Sequence, residues 1–250
     1  MKKIKKFILL SIILGGLFFL FGPELIPENL QPQEFLDIAV DNDVIIIFNS
    51  GGWGNTPLEK AEDFAPIIEG IQETLNEWGY SSIVIPYNRT KNTLLGKFTG
   101  AKGFLNSFDF PSEIMAEDLE FLVKNLPNKK IIITGLSNGA AFVNETYKKT
   151  SKEVKNSVYV ITAGTPFWSK YFESDNILQL NNNGKDSLVE GNIKSLVLSL
   201  IKAPYRWISS KVNGQNLTLS QAFQISGHKY FWSSSEVNPQ IITFLENKFH

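Results

Sequence analysis

Two hydrophobic rhythms alternate along the chain. Short unbroken apolar runs, rich in β-branched residues, occur at "VIIIF" (44–48), "SIVIPY" (82–87), "KKIIITG" (129–135) and "SVYVITAG" (157–164), with a weaker one at "NILQL" (176–180). A run with no polar alternation suits a strand covered on both faces. Between the runs, apolar residues recur at three- and four-residue steps, the spacing of a helix with one buried face. This spacing predicts helices over 58–78, from Pro111-Ser112 onward, over 138–149 and across "PQIITFLENKF" (239–249). The segment "NRTKNTLLGKFTGAKGFLNSFDF" (88–110) reads as irregular, and "AFQIS" (222–226) as a last strand. "IKSLVLSLIKAPYRWISS" (193–210) reads as a core or lid helix broken at Pro204. Strands alternating with helices predict an α/β protein, doubly wound around a mainly parallel sheet.

The first residues follow neither rhythm. "MKKIKKFILLSIILGGLFFLFGPELIP" places four lysines before an apolar stretch from Phe7 to Phe21. Lysines ahead of an apolar run resemble an export signal, and with no small-residue cleavage pattern behind it the stretch reads as an uncleaved anchor. The expected division is a membrane anchor over 1–22, a proline-bearing linker and lead-in over 23–39, and one catalytic domain over 40–250. A lid or insertion is expected at about 190–222. Lysines that stay on the cytoplasmic side place the domain outside the membrane.

Composition narrows the chemistry. The chain has 250 residues, 43% of them hydrophobic and 20% charged, which suits a globular domain rather than a disordered chain. The absence of cysteine rules out disulfides and thiolate metal sites. The only histidines, His228 and His250, leave no material for a multi-histidine zinc site, and no metal or other cofactor is expected. The 24 basic residues include the four N-terminal lysines, so the remainder holds 20 against 25 acidic residues. A net of −5 without a basic aromatic patch gives no support to nucleic-acid binding.

The candidate chemistry starts at "IIITGLSNGAAF" (131–142). A strand enters Gly-Leu-Ser-Asn-Gly and a helix leaves it, the context a nucleophile elbow needs. Side chains at Gly135 and Gly139 would collide as the chain folds around Ser137. A serine hydroxyl needs a base to take its proton, and His228 in "SGHKYFW" is the one internal histidine. The base needs an acid to fix its tautomer. Asp186, in the turn "NNNGKDSLV" after the weak fifth run, fills that place, with Glu190 and Asp175 as neighbouring acids. For the developing oxyanion, N–H groups are expected from Asn138 and from the loop "SGGWG", at Gly52 or alternatively Trp53.

These segments, with "IIIFNSGGWG" (45–54), resemble the serine hydrolases of the α/β-hydrolase superfamily over about residues 40–250. The resemblance implies an eight-stranded or slightly reduced sheet with the triad at its carboxyl edge. It also implies an acyl-enzyme on Ser137, a proton shuttled by His228, and release of the acid by water. Many members carry a histidine before the oxyanion glycines, where this chain has Asn49-Ser50. The expected substrate is a small acyl ester or lipid-like ester. An acyltransferase with the same triad and a non-catalytic binding module of the same fold are the alternatives. The aromatic cluster "TPFWSKYF" (165–172) is placed as packing or as an acyl pocket.

Overall fold

The computed structural model describes residues 32–250, apart from positions 63, 92, 170, 171, 216, 218–221 and 223. The expected anchor over 1–22 and the first part of the linker lie outside the described residues. Among those described, no helix is long and apolar enough to cross a membrane.

The described residues open with helix α1 (Pro32–Ala39), followed by strand β1 (Val44–Asn49). Next come a 3₁₀ turn (Leu58–Lys60), helix α2 (Ala65–Glu77) and strand β2 (Ser82–Pro86). Helices α3 (Leu94–Leu105) and α4 (Asp109–Asn125) lead to strand β3 (Lys130–Leu136) and helix α5 (Asn138–Lys149). Helix α6 (Lys152–Ser157) runs into strand β4 (Val158–Ala163), and β5 (Ile177–Leu180) follows. Two further helices, α7 (Ile193–Val212) and α8 (Asn238–Phe249), complete these elements.

The five strands form one sheet in the order β2-β1-β3-β4-β5, every neighbouring pair parallel. Alternate residues of each strand serve opposite faces. Ile45, Ile47, Ile131, Ile133 and Val160 join Met115, Leu119, Phe142 and Tyr147 in one core layer. Val44, Ile46, Phe48, Ile132 and Ile161 join Ile67, Ile71, Ile241 and Leu245 in the other. Two covered faces explain why the strands read as unbroken apolar runs.

Register places the site. Asn49 lies opposite Gly135, Gly135 opposite Thr162, and Ala163 opposite both Leu136 and Leu180. The residues that follow these strand ends, among them Ser50, Ser137 and Gly164, therefore emerge along one carboxyl edge.

Several expectations are corrected. Among the described residues the sheet has five strands, and none of the described residues of "AFQIS" belongs to one. The long helix expected over 58–78 is divided into the 3₁₀ turn and α2, because Pro66, which has no N–H to donate, starts the helix anew. The segment expected to be irregular holds α3, capped by the Thr93 side chain on the N–H of Gly96 at 3.0 Å. Its three glycines lower helix propensity, but Gly100 lets the helix approach closely. A Cβ there would stand 3.0 Å from Thr90 and 3.4 Å from Trp53. Pro204 does not break α7, which continues through it.

Candidate active site

Ser137 sits between β3 and α5 with φ 55° and ψ −118°, a conformation that side-chain-bearing residues rarely adopt. The glycines on either side make the turn possible. A Cβ on Gly135 would stand 2.5 Å from the carbonyl oxygen of Gly139, and one on Gly139 would stand 2.5 Å from that of Asn49. Real carbon and oxygen atoms do not approach that closely, so only glycine fits at either place. The Ser137 N–H donates to the Ala163 carbonyl at 2.9 Å, pinning the elbow to the end of β4.

Asp186 and His228 meet 42 residues apart in sequence. Nδ1 of His228 lies 2.8 Å from Oδ2 of the fully buried Asp186. A carboxylate can only accept, so Nδ1 carries a proton, and in the neutral ring this leaves the Nε2 lone pair free, the tautomer a general base requires. The same Oδ2 accepts the Tyr230 hydroxyl at 2.6 Å, and Oδ1 accepts the Leu188 N–H at 2.8 Å. Burial by itself would raise the Asp186 carboxyl. The hydrogen bond and charge of His228, with the donors Tyr230 and Leu188, outweigh it and hold the carboxyl below the usual carboxylate range. Tyr230 moves the other way, raised first by burial and then by the carboxylate it faces, so it remains a neutral donor.

Gly164 joins the two halves. It directly follows Ala163, the acceptor of the Ser137 N–H, and a Cβ on it would lie 2.4 Å from Cε1 of His228. The imidazole thus rests on the backbone at the end of β4, against which the serine turn is also tied. Among the described residues, no hydrogen bond joins the Ser137 hydroxyl to His228; such contacts commonly close only when substrate is bound. Among the described residues, no hydrogen bond or ion pair joins Glu190 or Asp175 to His228.

The loop after β1 approaches the elbow at Gly51, where a Cβ would stand 3.6 Å from the Ser137 Cβ. Gly52 has φ +56°, and its carbonyl accepts from the Asn138 side chain at 3.3 Å. Trp53 is about half exposed, its carbonyl accepting from Thr90 at 2.8 Å. Asn49 and Ser50, which stand where many α/β-hydrolases have a histidine, serve this loop. Asn49 Nδ2 donates to the Thr134 carbonyl at 3.1 Å, and Ser50 Oγ accepts the Thr56 N–H at 3.1 Å.

Two residues of this constellation escaped the sequence reading. Tyr230 is one, and the His-x-Tyr spacing in "GHKYFW" is its only local signal. Arg89 is the other. Its guanidinium, 5% exposed, donates to the Ser50 carbonyl at 2.6 Å and to the Asn138 carbonyl at 3.2 Å. It lies over the rings of Phe108 and Phe142 at 5.2 and 5.3 Å. No carboxylate pairs with it among the described residues, and burial lowers its pKa to about 9. Arg89 therefore clasps the two backbone segments that carry the candidate oxyanion donors.

Beside the loop opens a groove of about 510 Å³ counting its mouth, lined by Gly52, Trp53, Arg89, Thr90, Gly100 and Phe108 among others. Phe167 and Trp168 are each about half exposed, their ring centroids 4.9 Å apart, and Trp168 meets the ring of Phe104 on α3 at 5.4 Å.

A strand–elbow–helix turn above a parallel sheet, with a buried Asp–His pair at the same edge, resembles the arrangement of α/β-hydrolases. No family model matches the chain, and no curated protein matches it. Solved structures similar in fold include a Trichoderma reesei cutinase in complex with a C11Y4 phosphonate inhibitor. It shows 17% identity over 64% of this chain and 75% of that one, with a TM-score of 0.48. A cutinase-like protein from Cryptococcus sp. shows 19% identity over 50% and 54%, with a TM-score of 0.35. An acetylxylan esterase shows 14% identity over 54% and 80%, with a TM-score of 0.40.

Proposed function

We propose that this chain is a serine hydrolase of the α/β-hydrolase type that cleaves an ester or related acyl bond through an acyl-enzyme on Ser137. The observation that carries this reading is the strained serine turn tied to the same strand end on which the His228–Asp186 pair rests. In the first step His228 Nε2 takes the hydroxyl proton as Ser137 Oγ attacks the carbonyl carbon. Negative charge gathers on the carbonyl oxygen, toward the N–H of Asn138 and an N–H of the loop at Gly52 or Trp53. Each such donor lowers the barrier by about 3 kcal/mol. His228 then protonates the leaving alcohol, and water activated by the same nitrogen releases the acid. Asp186 stays ionised throughout, holding the tautomer and offsetting the imidazolium charge. The groove beside Gly52 offers room for a substrate's acyl or alcohol portion. The lysine-led apolar N-terminus supports placing the enzyme at a membrane, with its domain on the outer side.

The test is fluorophosphonate labelling of the full chain in detergent, beside Ser137→Ala and His228→Ala. Labelling that disappears in both variants supports an activated serine. A folded wild-type protein that takes no label, or a Ser137→Ala variant that still takes it, would overturn the reading.

A further inference from the structure

Helix α7 is turned inside out. Toward the protein it presents Ser199, Ala203 and Ser210, all buried. Its outer face carries Ile193, Val197, Ile201, Tyr205, Ile208 and Val212, at steps of three and four residues. Ile201 is 69% exposed, Tyr205 77% and Val212 80%. A surface helix normally buries its apolar stripe and leaves its small polar residues outside. Exposed apolar faces of this extent mark interaction sites.

Charge identifies the partner. Between 193 and 212 the helix carries the exposed Lys194, Lys202 and Lys211, the half-buried Arg206, which donates to the Ala222 carbonyl at 3.4 Å, and no acidic residue. Tyr205 lies on the outer face and Trp207 is half-buried beside it. Apolar and aromatic residues on one side, with cations around them, describe a helix that lies in a membrane interface rather than crossing it. The chain's own segment 1–22 has four lysines and no acid, so it matches α7 in sign and does not complement it. A second copy docked on the same face would likewise set cation against cation.

We propose that α7 docks on an anionic lipid bilayer, its apolar face in the acyl boundary and its exposed lysines among the headgroups. The helix follows directly from the Asp186 segment: the Asn192 N–H donates to the Ser187 carbonyl at 3.0 Å. Half-exposed Phe167 sits beside its start, with a Cβ on Gly191 falling 3.1 Å from that ring. Phe231, 51% exposed, follows His228 by three residues. Docking through α7 would bring this rim toward the lipid, and a lipid-borne ester would reach Ser137 without crossing water. That last consequence rests on the hydrolase reading; the docking itself does not.

The chain contains no cysteine, so single nitroxide labels can be placed freely. Full-length Ile201→Cys and Ile208→Cys would be labelled, with Glu77→Cys at the opposite edge of the sheet as reference. Each is bound to vesicles of phosphatidylcholine alone or mixed with phosphatidylglycerol. On the anionic vesicles, labels at 201 and 208 should gain oxygen accessibility and lose nickel-chelate accessibility several-fold, while Glu77→Cys stays unchanged. Adding Lys202→Glu and Lys211→Glu should return the 208 label to water. Labels that remain open to nickel on anionic vesicles overturn the proposal. So does burial indifferent to lipid charge, or lipid-independent burial with dipolar coupling between copies. The readout is label depth, so failure of the hydrolase reading would leave it intact.

Discussion

Tyr230 donates its hydroxyl to Asp186 Oδ2 at 2.6 Å, the same oxygen that Nδ1 of His228 meets at 2.8 Å. One carboxylate oxygen thus holds both side chains, and the tyrosine shares in keeping the buried acid ionised.

Tyr230→Phe should therefore weaken stability and activity together. Loss of a hydrogen bond to a charged group costs about 1.5–3 kcal/mol. Asp186 is held below its ordinary value, so its ionisation stabilises the fold above the unfolded carboxylate pKa, and this is lost as pH falls through the folded value. The gap between wild type and variant should be full at neutral pH and narrow in acid. Urea unfolding at several pH values measures it. A constant gap would mean that the hydroxyl does not support the ionised carboxylate.

Gly164→Ala tests the shared backbone rest. The added methyl would stand 2.4 Å from the His228 ring, at a φ of +62° that disfavours any side chain. Displacing the imidazole by about an ångström should cost about 100-fold in kcat/KM. Ester turnover measured beside a near-ultraviolet circular dichroism spectrum separates this from unfolding.

Arg89→Met should lower kcat with little change in KM, because the residue holds the carbonyls of Ser50 and Asn138 rather than the substrate's leaving group. If the clasp aligns one oxyanion donor, the loss approaches about 100-fold. Arg89→Lys, which keeps the charge but not the planar fork, should recover part of it. Steady-state kinetics on a soluble ester decide; full recovery in Arg89→Lys would point to charge alone, and equal loss in both variants to the planar fork alone.

Asp118, on α4, is raised to about 6 by burial first and by Glu117 second, against a lowering from the Tyr87 hydroxyl. A carboxyl raised on folding binds its proton more tightly in the native state. Stability should fall as pH rises from about 4 to about 6 and then level off. Asp118→Asn removes that penalty, so it should raise the melting temperature at pH 7–8 and leave it nearly unchanged at pH 4. Melting curves at the two pH values check the sign.

The parts legible in the sequence are those determined by neighbours along the chain. Gly135, Ser137 and Gly139 make their turn within five residues, and the strand runs of β1, β3 and β4 announce two covered faces. Arg89 and Tyr230 find their partners 39 to 49 residues away, so no local pattern marks them. Helix α3 was hidden because its glycines serve close packing instead of propensity. In α7 the periodicity is plain, but periodicity identifies a stripe without saying whether protein or something else covers it. The residues there prove to be neither core nor broken at Pro204.

Strand β5 spans only Ile177–Leu180 and lies at the rim of the sheet, paired with β4 alone. The acid proposed for catalysis hangs from the turn just beyond it, whereas the serine rises from β3 in the centre. Rim strands with few buried partners open at lower free energy than central ones. Heating should accordingly release Asp186 from His228 while β1, β3 and β4 stay folded, so that turnover is lost reversibly at a temperature below the cooperative melt.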